Sequence, residues 1–110
     1  MERSNGEKYI VPVLLAEMLG SSLLMLAFNL RGDDTLVASL TYFALVVCTY
    51  EFSGGHLNPS ISLGVYISTK RYVKNLLFMI FIIVAQTVGC LGGLGIGYLL
   101  RVTVTDEATG

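Results

Sequence analysis

Ser53-Gly54-Gly55-His56-Leu57-Asn58-Pro59-Ser60 is the stretch that decides how this chain folds. It is polar and rich in glycine. Asn58 is a good helix N-cap and Pro59 suits the first helical position, so a helix is expected to start here. Only about ten apolar or small residues follow, and ten helical residues rise roughly 15 Å, half of a bilayer's hydrocarbon core. A segment that starts at a proline and ends half-way reads as a re-entrant half-helix. Irregular backbone at that depth is tolerated only where protein or a watery cavity satisfies its polar groups. An Asn-Pro turn capping an interfacial helix is the alternative. The two glycines, the half-length helix and the flanking apolar runs favour re-entry, and with it a pore.

Working outward, the rest of the chain fits a membrane. Of its 110 residues 54% are hydrophobic and 14% charged, against about 25% charged in a soluble domain. Mean hydropathy is +0.70. Three apolar runs, about 9–30, 36–52 and 76–100, are each near spanning length. The re-entrant loop falls at 53–58 and the half-helix at about 59–68. Polar connectors occupy 31–35 and 69–75, and a polar tail 101–110. The sequence therefore predicts an all-α, multi-pass integral membrane protein of three transmembrane helices and one re-entrant half-helix. A secretory signal is the rival reading of the first run, but Glu17 sits in its middle and no small-x-small cleavage site follows. Cys48 and Cys90 lie in apolar runs and read as small buried residues.

Basic residues set the orientation. With a cytoplasmic amino terminus, Arg3, Lys8, Lys70, Arg71 and Lys74 lie inside, and only Arg31 and Arg101 outside. That topology requires the segment after Phe52 to dip in and return to the same face. The basic residues are few and flank the membrane segments, which gives no support to nucleic-acid binding.

The short segment has legible chemistry. The first amides of a helix lack intrahelical partners, and the dipole places about half a positive charge there. Asn58 adds a side-chain NH2 with two donor protons. Gly54 and Gly55 let the preceding backbone run extended, with carbonyls free to face a cavity. Such a strip replaces the hydration of a neutral solute and repels a cation. Glu17 is costly in mid-membrane and is expected to face the protein interior. His56, with no partner ligands at metal spacing, reads as a packing residue. Gly89, Gly93 and Gly97 recur every fourth residue, a small-xxx-small stripe for close helix packing.

The run Ser53 to Gly64, Ser-Gly-Gly-His-Leu-Asn-Pro-Ser-Ile-Ser-Leu-Gly, resembles the first signature loop of the aquaporin (major intrinsic protein) family. Ala16-Glu17-Met18-Leu19-Gly20 is similar to its first-helix pattern and Ala85-Gln86-Thr87-Val88-Gly89 to its third-helix pattern. The resemblance implies the amino-terminal half of an aquaporin-like fold and passive, single-file passage of water or a small neutral solute such as glycerol. It implies that Asn58 and Pro59 mark the channel centre, with Asn58 donating to the permeant. Carbonyls of Gly54, Gly55, His56 and Leu57 would form the acceptor ladder. Glu17 would brace the loop from behind, and Gln86 would fasten the third helix.

Ser60 stands where the family motif carries alanine. Ala38, twenty residues before Asn58, stands where a bulky aromatic often narrows the pore, which would widen the filter. The family has two inverted repeats and usually assembles as tetramers. This chain carries one Asn-Pro loop and is expected to be a fragment, or a half that joins a second repeat from a partner chain. A non-conducting structural subunit retaining the scaffold is the alternative. No nucleophile–base pair, metal set or phosphate loop is legible, so no enzyme, cofactor or metal is expected.

Overall fold

The structure is a computed structural model, and it describes residues 10–70 and 72–109. Arg3, Lys8 and Arg71, which share in the charge argument, lie outside the described residues, as does the start of the first apolar run. The described chain is all helical. Helix α1 is Ile10–Arg31, α2 Thr35–Ser53, α3 Pro59–Thr69 and α4 Tyr72–Thr109. The helices α1 and α2, and Asn75–Ala108 within α4, are long and apolar enough to cross a membrane. The 11 residues of α3 are not.

Local signals set the helix ends. Asp34 caps α2, its Oδ1 accepting from the amides of Leu36 at 3.1 Å and Val37 at 3.2 Å. Arg31 closes the last turn of α1, where a cation suits the dipole. Its guanidinium reaches Asp34 Oδ2 at 3.4 Å, an exposed pair of small worth. Asp34→Ala is expected to cost about 1 kcal/mol through the lost cap, read as a lower midpoint in thermal unfolding in detergent.

One difference from the sequence reading concerns α4. The expected polar tail is helical as far as Thr109, and the helix has 38 residues, about 57 Å at 1.5 Å per residue. No glycine or proline interrupts 101–109. Thr103 and Thr105 donate their hydroxyls to the carbonyls of Leu99 and Arg101, at 2.8 and 2.7 Å. Polarity marks where the apolar span ends, not where the helix does. A second difference is Cys48, which is exposed on α2, while Cys90 is half-buried.

Helix α1 packs on both α2 and α4, and α3 packs on α4. The glycine stripe sets the α1–α4 register. A Cβ on Gly89 would collide with the carbonyl of Met18, and one on Gly93 with that of Ser22; one on Gly97 would press on Asn29 Cγ at 2.8 Å. Residue numbers rise together along both helices, so α1 and α4 run in the same direction. The segment between α2 and α4 thus starts and ends on one side, and α3 is a half-helix that returns where it came from.

The burial pattern inverts that of a soluble protein, where charged and polar groups stay outside. Leu19, Phe43, Val47, Leu77, Val88 and Leu91 are among many exposed apolar side chains, whereas Glu17 and Gln86 are fully buried and Ser21, Ser53 and Ser62 nearly so. On α1 the buried residues Val13, Glu17, Gly20, Ser21 and Leu24 fall on one helical stripe. The interior is a polar cluster behind the loop.

Candidate functional site: the loop at residues 53–58

Two glycines turn the chain out of α2. Gly54 caps the helix at φ +89°, its amide donating to the Tyr50 carbonyl at 2.9 Å. Gly55 follows at φ +65°, a left-handed conformation that glycine adopts freely. A Cβ there would also stand 3.0 Å from the Val46 carbonyl. Leu57 takes φ +53°, an uncommon state for a branched side chain. Its side chain is 3% exposed and fills the space that the missing Cβ of Gly20 leaves beside Thr49.

Glu17 holds this loop. Its Oε1 accepts from the Ser53 hydroxyl at 2.6 Å and the His56 amide at 3.1 Å; its Oε2 accepts from the Leu57 amide at 2.8 Å and Gln86 Nε2 at 2.7 Å. Four donors meet one acceptor-only group, an arrangement suited to a carboxylate. Four elements are thereby joined at one side chain: α1 through Glu17, α2 through Ser53, α4 through Gln86, and the loop through its backbone.

The anchored amides fix the opposite face of the loop. In a trans peptide the C=O points away from the N–H, and no described peptide is cis. With the amides of His56 and Leu57 turned to Glu17, the carbonyls of Gly55 and His56 point away from it. Neither has a hydrogen-bond partner among the described residues.

At the end of the loop Asn58 caps α3 from extended backbone, φ −153° and ψ 127°. Its Oδ1 accepts from the Ser60 amide at 2.8 Å, and Pro59 occupies the first turn. Asn58 is exposed. With Oδ1 committed to the cap, its Nδ2 is the outward group, and it too has no partner among the described residues.

The site thus gathers Glu17, Gly54, Gly55, His56, Leu57, Asn58, Pro59 and Gln86. Ala38 stands apart, half-buried near the start of α2, about 22 Å of helix from Ser53. Gly89, Gly93 and Gly97 lie along the α1–α4 contact rather than at the loop. Two hydroxyls escaped the sequence reading. Ser53 bonds Glu17, and Ser62 receives Gln86 Nε2 at 2.9 Å and meets His56 Nδ1 at 3.0 Å. Their only signal was a serine one turn before Leu57 and one a turn after Asn58, unremarkable in a segment rich in serine. Among the described residues no cluster of three or more potential metal ligands occurs.

Comparison with known proteins places these observations in context. The family described as major intrinsic protein matches residues 32–110. Aquaporin PIP2-7 of Musa acuminata is 44% identical over 55 residues, 49% of this chain and 18% of that protein. Probable aquaporin PIP2-7 of Oryza sativa subsp. japonica is 42% identical over 57 residues, 51% of this chain and 18% of its own length. Aquaporin PIP1-1 of the same plant is 43% identical over 54 residues, with 49% and 18% covered. The matched stretch of the chain therefore spans under a fifth of these curated relatives. No solved structure matches.

Proposed function

The chain belongs to the major intrinsic protein family, and from that premise we propose that it supplies half of a passive channel for water or a small neutral solute such as glycerol. The observation that carries this reading is the two-faced loop. Its amides are spent on Glu17, while the carbonyls of Gly55 and His56 and the Nδ2 of Asn58 have no partner among the described residues. Acceptors followed by a donor at a helix amino end replace the hydration of a neutral hydrogen-bonding molecule. The same helix end, carrying about half a positive charge, opposes a cation. Conduction needs no bond to be made or broken, so the protein acts as a channel and not an enzyme.

Enclosing a lumen takes a second repeat, from the same polypeptide or a partner chain, with homotetramers as the family's usual assembly. Ala38, at the far end of α2, would line the wider part of the path. The amino terminus would face the cytoplasm.

Asn58→Asp tests the reading. It removes the outward donor and sets a negative charge on the helix amino end. In proteoliposomes holding the assembled channel, the osmotic swelling rate is expected to fall at least about tenfold, equivalent to 1.4 kcal/mol on the barrier, or cations are expected to leak. Unchanged swelling with intact ion exclusion would count against the assignment. Wild-type swelling no faster than empty vesicles would favour the non-conducting scaffold.

A further inference from the structure

His56 is bound to the polar cluster through its ring as well as its amide. Its Nδ1 lies 3.0 Å from Ser62 Oγ. Which of these two atoms carries the shared proton follows from the groups behind them.

Gln86 is fully buried, and its Nε2 meets both Glu17 Oε2 at 2.7 Å and Ser62 Oγ at 2.9 Å. A carboxylate only accepts, so the amide nitrogen, not its oxygen, must face Glu17. Both protons of that nitrogen are then used, the second on Ser62. Gln86 Oε1 is buried with no partner among the described residues, which leaves the amide no gain from turning over. Ser62 is 3% exposed. Its oxygen is occupied as an acceptor, and its own proton needs a recipient. His56 Nδ1 is the partner within reach; the Asn58 carbonyl one turn earlier accepts from the Ser62 amide at 3.1 Å, and the hydroxyl proton has no other acceptor among the described residues.

We propose that Ser62 is a positioning residue that donates to His56 Nδ1 and so fixes the neutral ring with its proton on Nε2. Gln86 donates both ways, to Glu17 and to Ser62, and Ser62 passes its own proton on to the ring. The ring spans the loop, Ser62 of α3 on one side and Gly54 on the other, where an added Cβ would sit 3.4 Å from Nε2. The outer nitrogen is thus a donor at the start of a carbonyl strip. A ring held so cannot collect a proton from a passing water at Nε2. That consequence for proton exclusion rests on the channel reading; the tautomer does not.

The test is nitrogen-15 NMR of the histidine side chain in the full chain reconstituted in lipid, the resonance identified by its loss in His56→Gln. The expected spectrum shows Nδ1 unprotonated and hydrogen-bonded, with Nε2 protonated. Ser62→Ala is expected to remove the hydrogen-bond shift of Nδ1 and let the Nδ1–H form appear, and Ser62→Thr, which keeps the hydroxyl, to restore the original spectrum. A protonated Nδ1 in the wild type, or an Nδ1 signal that ignores Ser62→Ala in a variant with unchanged circular dichroism, would overturn the proposal. Swelling measured on the same vesicles judges the channel reading separately. A correct tautomer in non-conducting vesicles would leave the proposal standing and remove the channel.

Discussion

Replacing Glu17 with alanine is expected to lower stability by about 3–5 kcal/mol, the range for removing one partner from a buried charged network. Four donors point at this carboxylate, and two of them, the amides of His56 and Leu57, belong to backbone that has no other acceptor in reach. A side-chain donor such as Ser53 can turn to the Thr49 carbonyl, already 3.3 Å away. The two amides cannot. Leu57 adds to the cost because its left-handed backbone persists only while surrounding contacts impose it. Glu17→Gln should be milder, about 1–3 kcal/mol, since one oxygen remains but an NH2 now faces an N–H. The checks are thermal unfolding in detergent and hydrogen exchange at the His56 and Leu57 amides. Exchange at those two positions should accelerate more than in α1 or α4. Equal protection in Glu17→Ala and wild type would mean the carboxylate does not hold the loop.

The second large effect is expected at the α1–α4 contact. Gly89→Val or Gly93→Val should each cost about 3 kcal/mol or more. Overpacking a core typically costs 1–3 kcal/mol where side chains can yield. Here the obstacles are the carbonyls of Met18 and Ser22, which belong to helix backbone and move only with it. Gly95, on the same helix, has nothing near its missing Cβ. Gly95→Ala should therefore stabilise slightly, by about 0.5–1 kcal/mol from helix propensity. Thermal unfolding of the three variants side by side separates contact from propensity. A Gly89→Val protein as stable as Gly95→Ala would disprove the close approach.

Much of this arrangement could be read from the chain. Hydropathy runs located α1, α2 and the apolar part of α4, because lipid demands apolar side chains over a fixed length. Asn58-Pro59 located the start of α3, because cap and proline chemistry act within a few residues. Glu17 stood out because an acid in an apolar run is costly and must face the interior, while its place behind the loop came from the family resemblance. Other features depend on three-dimensional neighbours. Ser53 and Ser62 matter through partners 36 and 24 residues away in sequence, and serine is common enough in membrane helices to carry no signal. The left-handed state of Leu57 is set by Glu17 and by the vacancy at Gly20, neither of which is local. Cys48 looked interior because it is small and apolar, yet in a membrane-type fold those qualities also suit the outside. The continuation of α4 beyond Leu100 was hidden because hydropathy reports the solvent and not the backbone.

The four-way junction at Glu17 has a consequence for how the molecule is made. Synthesis runs from the amino end, so α1 and α2 emerge first and can pair at once. The loop and α3 follow, but α3 packs on α4, and the side chain that ties Glu17 to Ser62 is Gln86 of α4. Until that last helix leaves the ribosome, the dipping segment has half of its anchor and no wall to lean on. Full anchorage of the loop therefore waits for α4.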